Sequence, residues 1–291
     1  MDILIKPNSL NLDKYIDKIK GGNVSFLFGL KDYSIYDNSI SYLELTKIVN
    51  KYKNNKIYVS LDKNFFNKDI PNLIDLLKEL DSLPISGIFF YDLSILNIKE
   101  ENNLKKDLIW NQNFLVTNYR TCNYYYDLGV KSCVASSEIT LDEIIEIKKN
   151  TKMNMFVNIF GYQLMSHSKR SLISNYFKYI NEKDTKKDHH LLKEGKSYII
   201  KENNIGTSIY SNNILNGLTK INELKTNNIN IILNEMNIEE NTFLEVLEIY
   251  DKAINNNLTE EELTKLDKKI KDKIPNTGLG FLETKTIYKM K

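Results

Sequence analysis

The chain carries only two cysteines, Cys122 and Cys133, among 291 residues. Two thiols cannot build a disulfide scaffold. They fall on separate expected elements, so reduced thiols in a cytoplasmic protein are the expectation. No apolar run approaches the roughly 18 residues of a membrane-spanning helix. The opening Met1-Asp2-Ile3-Leu4-Ile5-Lys6-Pro7 has no basic region followed by a long apolar one, so it does not read as a signal peptide. No membrane partner is therefore expected. Neither sign of charge prevails: Lys and Arg number 40 against 38 Asp and Glu, with a pI near 8.2. Bulk charge thus excludes an obligate polyanion binder and leaves room for a local basic patch. Two motifs are missing as well. There is no Gly-x-Ser-x-Gly elbow of a serine hydrolase and no His-Glu-x-x-His zinc helix.

What is present is a large core-forming fraction. Hydrophobic residues make up 42% of the chain, and mean hydropathy is −0.39, which argues against disorder. The abundance of Lys, Asn and Ile fits an AT-rich bacterial genome and carries no functional weight. Short β-rich runs recur at Ile3–Lys6, Val24–Phe28, Ile57–Leu61, Gly87–Tyr91, Leu108–Asn111, Ser132–Ala135, Met155–Phe160 and Asn230–Leu233. Between them apolar residues recur at helical spacing, as in Tyr42-Leu45-Ile48-Val49 and Leu73-Leu76-Leu77-Leu80. Thr140 to Glu143 offers a capping-box start for another helix. Eight strand–helix units are the count of a (β/α)8 TIM-like barrel, with a doubly wound open sheet as the alternative. One domain over 1–291 is expected. Residues 161–228 form an insertion on the barrel rim after strand 7, and 239–291 form C-terminal helices and a tail. Within the insertion, Ser197–Lys201 and Thr207–Tyr210 read as a β-hairpin.

Chemistry-bearing residues crowd the stretch Asn158 to Tyr179. An apolar strand pattern runs into Gly161 and then into Ser166-His167-Ser168-Lys169-Arg170-Ser171, followed by Ser174-Asn175-Tyr176. A strand that ends in hydroxyls, an imidazole, an arginine and an amide is how α/β proteins build ligand sites, although a solvated loop has the same composition. Arg170, Ser174, Asn175 and Tyr176 are therefore candidate substrate contacts. Asn111, Glu138, Asp92 and Asp62 join them from other expected strand ends, where acids also commonly cap the next helix. A serine mechanism finds little support, because Ser166 and Ser168 flank His167 on an extended chain and face away from it. Asp188, His189 and His190 could hold a divalent ion, but a solvated loop explains them more simply. Between Lys152 and Lys201 ten basic residues face four acidic ones. Lys169, Arg170, Lys178, Lys186 and Lys187 alternate there with Tyr176, Phe177 and Tyr179. That pairing suits phosphate contact and base stacking, while Phe177 in a core and solubilising lysines is the bland alternative.

The stretch Gly161, Ser166, Ser168, Arg170, Ser174, Asn175, Tyr176 resembles the signature of peptidase family U32, the collagenase-like proteases. Thr117-Asn118 through Asn123-Tyr124 and the tail Pro275–Lys285 extend the resemblance over nearly the whole chain. It implies a barrel-like fold. In many members cysteines hold an iron–sulfur cluster; here Leu164 and Ser171 occupy the first two positions, and no cysteine follows. The chain is similar to the short, cysteine-poor branch of Gram-positive bacteria. The resemblance implies a role in forming 5-hydroxyuridine at the tRNA wobble position, beside a cysteine-bearing paralogue and with prephenate as a co-substrate of the pathway. Candidate partners are thus tRNA and that paralogue, and no cofactor or metal of the chain's own is expected. A U32-type peptidase and a non-catalytic assembly protein are the alternatives. The family's Lys-Ile-(Asp/Glu)-Gly is replaced by Ile232-Leu233-Asn234-Glu235 and its arginine before Glu138 by Ser137. These losses imply catalytic power that has decayed or moved to a partner.

Overall fold

The computed structural model describes residues 1–21, 23–36, 39–185 and 189–284. Seven parallel strands come first: β1 (Asp2–Lys6), β2 (Asn23–Gly29), β3 (Lys56–Leu61), β4 (Gly87–Phe90), β5 (Leu108–Trp110), β6 (Ser132–Val134) and β7 (Asn154–Ser168). Helices follow each of them in turn: α1 (Asp13–Ile16), α2 (Tyr42–Lys51), α3 (Ile70–Ser82), α4 (Ser94–Glu101), α5 (Tyr119–Asp127), α6 (Leu141–Asn150) and α7 (Leu172–Tyr179). An antiparallel meander, β8 (His189–Lys193), β9 (Lys196–Asn203) and β10 (Gly206–Asn216), separates these from α8 (Ile221–Thr226) and β11 (Asn230–Asn234). β11 pairs in parallel with both β1 and β7, which closes an eight-stranded barrel. Helix α9 (Glu240–Asn255) covers this last strand. Beyond it come α10 (Glu260–Lys273) and a short strand, β12 (Thr277–Gly278), which pairs with β10. This is the TIM-like barrel that the strand count allowed and the family resemblance implied, with its insertion after the seventh barrel strand and its C-terminal helical extension; the doubly wound alternative falls because the sheet closes.

Two apolar layers hold the barrel together. Side chains alternate across each strand, so Ile3, Ile5, Val59, Phe90 and Val157 face outward and pack under the helices. Leu4, Leu27, Phe89, Ile109, Val134, Phe156 and Ile232, with Tyr58, face inward and plug the lumen. Phe89 makes edge contacts with Tyr58 and Phe156, its ring centroid 5.5 and 5.8 Å from theirs. The helices start where their caps dictate. Ser41–Glu44, Thr140–Glu143 and Thr259–Glu262 each form the reciprocal pair in which hydroxyl and carboxylate satisfy free backbone N–H groups.

Strand β7 departs from its expected end at Phe160 and runs on to Ser168. The reason lies at its edge. β6 is only three residues long and pairs with β7 only at Asn154–Phe156, which leaves the rest of that edge open. β10 takes the vacancy antiparallel, from Asn216 opposite Phe160 to Thr207 opposite Ser168. Gly161 makes the exit possible: its φ is +112°, and a Cβ there would stand 2.5 Å from the Asn234 carbonyl oxygen.

The arm so formed bends over the barrel mouth. Its hairpin turn reaches the loop after β2 through a hydrogen bond from Asn204 to Asp32. Lys169 at its far end sits 3.8 Å over the Phe66 ring, in the loop after β3. β3 is four strands from β7 in either direction round the barrel, so the insertion spans the mouth from one side to the other. Ile199 and Tyr210 under the span pack on Met236.

Candidate functional site

The inward phase of the strands fixes what lies at the mouth. Two residues beyond each member of the lumen plug, on the same face, stand Lys6, Gly29, Ser60, Tyr91, Asn111, Ser136, Asn158 and Asn234. Seven of these eight are polar, directly above an apolar floor. That is the C-terminal face on which barrel enzymes carry their sites.

Lys6 is the charged member of this ring. Its ammonium donates to the Tyr36 hydroxyl at 2.9 Å and lies 4.2 Å from that ring's centroid. The side chain keeps partial access through a cavity, yet its ammonium is surrounded by protein. Burial lowers its pKa to about 8, against which the Asp62 carboxylate acts weakly. Burial likewise raises the Tyr36 hydroxyl, and nearby Asp62 adds to this. Asp62 is buried and accepts from the Ile35 N–H at 2.7 Å and the Ser60 hydroxyl at 2.8 Å. Desolvation pushes its pKa up despite these bonds and Lys6. A formed ion pair would shift both groups the other way, so Lys6 and Asp62 feel one another without pairing.

Two small spaces adjoin Lys6, and a larger chamber adjoins one of them. One of about 30 Å³ is lined by Lys6, Tyr36, Gly29 and Asn234. Another of about 20 Å³ lies between Lys6, Asn113, Asn158 and the arm's Tyr162 and Tyr210. The second shares Ser137, Asn158, Gln163 and Leu164 with a chamber of about 200 Å³ beside β6. That chamber is walled by Ile139, Val157, Leu215, Phe281 and Leu282, and Glu138 stands at it.

The residues picked out from sequence divide into separate places. Asp62 and Asn111 belong to the mouth, both buried. Asp92 is a structural acid: it accepts from the Ser94 N–H at 2.9 Å at the start of α4 and from Phe65 N–H at 2.8 Å. Arg170, Ser174, Asn175 and Tyr176 lie on the exposed end of the arm. Among the described residues the Arg170 guanidinium forms no ion pair, and Glu138 is not its partner. Ser174 is engaged, its hydroxyl and N–H both donating to Glu202. Glu202 also accepts from the Ile173 N–H at 2.7 Å and the Thr207 hydroxyl at 3.0 Å. Burial opposes its ionisation, but these donors prevail and hold its pKa below the usual value. Helix α7 thus starts on a carboxylate, which suits its N-terminal dipole. Tyr176 and Tyr179 are 59% and 88% exposed.

The other candidate chemistries fare as follows. His167 Nδ1 lies 3.0 Å from the Ser208 hydroxyl, and its Nε2 is buried with no hydrogen-bond partner. A hydrolase dyad needs a group orienting the second nitrogen, so this pair is not one. Burial and Lys169 together lower the His167 pKa. His189 and His190 sit on strand β8 rather than in a loop, and contact Asp184 and Ser197 respectively. Lys186, Lys187 and Asp188 lie outside the described residues, as does Lys285 at the end of the tail motif. Among the described residues no three His, Cys, Asp or Glu side chains gather as a metal site. No described helix is long and apolar enough to cross a membrane. Tyr125 and Tyr126 of the tyrosine triplet pack on the core, and Tyr124 faces outward.

Comparison with known proteins decides the family. The sequence profile of peptidase family U32 matches residues 11–285. The chain belongs to peptidase family U32. The chain is similar to the tRNA hydroxylation protein P2 of Bacillus subtilis (strain 168), 29% identical over 234 residues, which are 77% of this chain and 75% of that one. Among solved structures, a protein of Aquifex aeolicus VF5 superposes at a TM-score of 0.45 with 8% identity, covering 94% of this chain and 92% of its own. A glycoside hydrolase family 18 N-acetylglucosaminidase from Paenibacillus barengoltzii gives 0.42 and 9%, covering 86% and 99%. Likeness at that level carries nothing about ligand or chemistry. The iron–sulfur cluster of cysteine-bearing U32 members does not fit this U32 chain. Leu164 lines the chamber, Ser171 precedes α7, and the two thiols, Cys122 and Cys133, are free, buried and hydrogen-bonded to each other. Four thiolates are needed.

Proposed function

We propose that this U32 protein acts as a subunit without an iron–sulfur cluster in the formation of 5-hydroxyuridine at the tRNA wobble position. The single observation that carries this reading is the 29% identity to a tRNA hydroxylation protein over 234 residues. The arm supports it: Lys169, Arg170 and Lys178 share its exposed end with Tyr176 and Tyr179, an arrangement that meets phosphates with cations and bases with rings. In this reading tRNA docks on the arm and a cysteine-bearing paralogue supplies the oxidation chemistry. Prephenate enters as a co-substrate of that pathway. The peptidase alternative has no observation in its favour, since His167 lacks an orienting partner and its serine neighbour is Ser208.

The test is mass spectrometry of tRNA nucleosides from a strain lacking this gene. Loss of 5-hydroxyuridine, restored by the wild-type chain, is the expected outcome. Unchanged 5-hydroxyuridine in the deletion strain would end the proposal.

A further inference from the structure

Lys6 carries a buried ammonium with no counter-ion among the described residues. Its ammonium has the Tyr36 hydroxyl at 2.9 Å, and no described carboxylate lies within ion-pairing distance. Among the described carboxylates the one whose charge Lys6 feels is Asp62, and it is already held by Ile35 and Ser60. Around the ammonium, the side-chain amides of Asn113 and Asn158 line the same space and make no hydrogen bond to a described residue. A cation and free amide donors converging on one small void are the groups that hold an anion.

We infer that the roofed barrel mouth binds a small monocarboxylate with a compact apolar body, its carboxylate on Lys6 and the asparagine amides and its body in the chamber beside β6. The sizes agree with this division. The spaces next to Lys6, about 20 and 30 Å³, admit only a few atoms. The adjoining chamber, about 200 Å³, exceeds the ~150 Å³ of apolar cavity that accommodates benzene. Ile139, Val157, Leu215, Phe281 and Leu282 give that chamber its apolar walls. Charge decides against a phosphate, because a dianion would meet one cation and the nearby Asp62. The inference rests on the cavity and Lys6 alone and stands apart from the RNA reading.

Binding has a proton signature. The groups facing Lys6 are Asp62 just after β3, Tyr36 from the loop after β2, Tyr162 from β7 and Tyr210 from β10. With its pKa lowered to about 8 by burial, Lys6 is partly neutral in mildly alkaline solution. A bound carboxylate restores the charge, so complex formation takes up protons there and affinity falls as pH rises further.

Calorimetric titration of the purified full chain tests this with three probes: phenylacetate, its neutral isostere phenylacetamide, and acetate. Phenylacetate is expected to bind saturably, with the other two at least about tenfold weaker. Lys6→Met should weaken phenylacetate by at least about tenfold, with an unchanged circular-dichroism spectrum. Leu164→Trp, at the junction of the two spaces, should weaken it as well while leaving Lys6 in place. In alkaline solution the measured heat should depend on the buffer's ionisation enthalpy. Equal binding by Lys6→Met, equal binding of phenylacetamide, or no saturable phenylacetate binding at millimolar concentration would each overturn the inference.

Discussion

Replacing Lys6 by methionine should make the unliganded protein more stable at neutral pH. A lysine that titrates near 8 instead of 10.5 has lost about 3 kcal/mol of charge solvation. Methionine keeps an unbranched stem of similar length and leaves no charge to bury. Against this gain, the Tyr36 hydroxyl loses the Lys6 donor at 2.9 Å, a loss of about 1–2 kcal/mol. The net expectation is a gain of about 1–2 kcal/mol. Its pH dependence has a definite sign. Between about pH 8 and pH 10.5 the unfolded wild-type chain binds more protons than the folded one, so wild-type stability rises with pH. The variant has no such group, and its advantage must shrink through that window. Urea unfolding of both proteins at about pH 7 and about pH 9.5 measures it. If Lys6→Met is destabilised equally at both pH values, the ammonium is well solvated and the argument fails. A residue that costs stability at a barrel mouth is the kind that function retains.

Arg170→Lys should remove most 5-hydroxyuridine from tRNA while the melting temperature stays, with a loss of about 1.5–3 kcal/mol in binding, because lysine cannot reproduce a bidentate grip; full modification would place the tRNA contact elsewhere. Glu202→Gln should loosen α7 by about 1–2 kcal/mol without lowering global stability, since the carboxylate receives both Ile173 and Ser174 amides. Hydrogen exchange should accelerate at those two amides only. The same loosening should appear in the wild type in acid, as pH falls below the usual glutamate range and through the lowered Glu202 value. Protein purified without oxygen should be colourless, and stoichiometric iron and sulfide in it would contradict the donor count.

The barrel's strands were legible because they announce themselves one by one, whereas their closure was carried by the family resemblance and not by the count. Ile3–Lys6 or Asn230–Leu233 needs no partner to read as a buried strand, and Thr140-x-x-Glu143 marks its helix start within four residues. The arm was not legible, because its path depends on what β6 leaves undone. Only the shortness of β6 exposes the edge of β7 that β10 occupies, and no local pattern reports that vacancy. Helix α7 was missed for a similar reason: its cap is Glu202, far along the chain. Lys6 was overlooked although the sequence did hold a signal. It shares the inward phase of Leu4, and carrying the strand alternation two residues past each lumen residue would have found the whole polar ring. Arg170 and its neighbours, drawn from one contiguous stretch, fall on the arm's exterior, whereas the cavity takes its walls from segments scattered from Lys6 to Leu282.

The arm spanning the mouth changes how this barrel can be entered. In an open barrel the front door lies along the axis, and a large polymer can push a residue of its own straight down toward the strand ends. Here that door is blocked by Tyr210 and Tyr162, which stand with Lys6 around the same small void. What is left is a side window beside β6, framed by Ser136–Ile139 and Gly280–Leu282. A roofed mouth with a side window would sort its visitors by size. Anything as large as a folded nucleic acid meets only the outer surface of the roof, while a metabolite can slip underneath it. The two kinds of molecule would occupy opposite sides of one layer of strands and never touch.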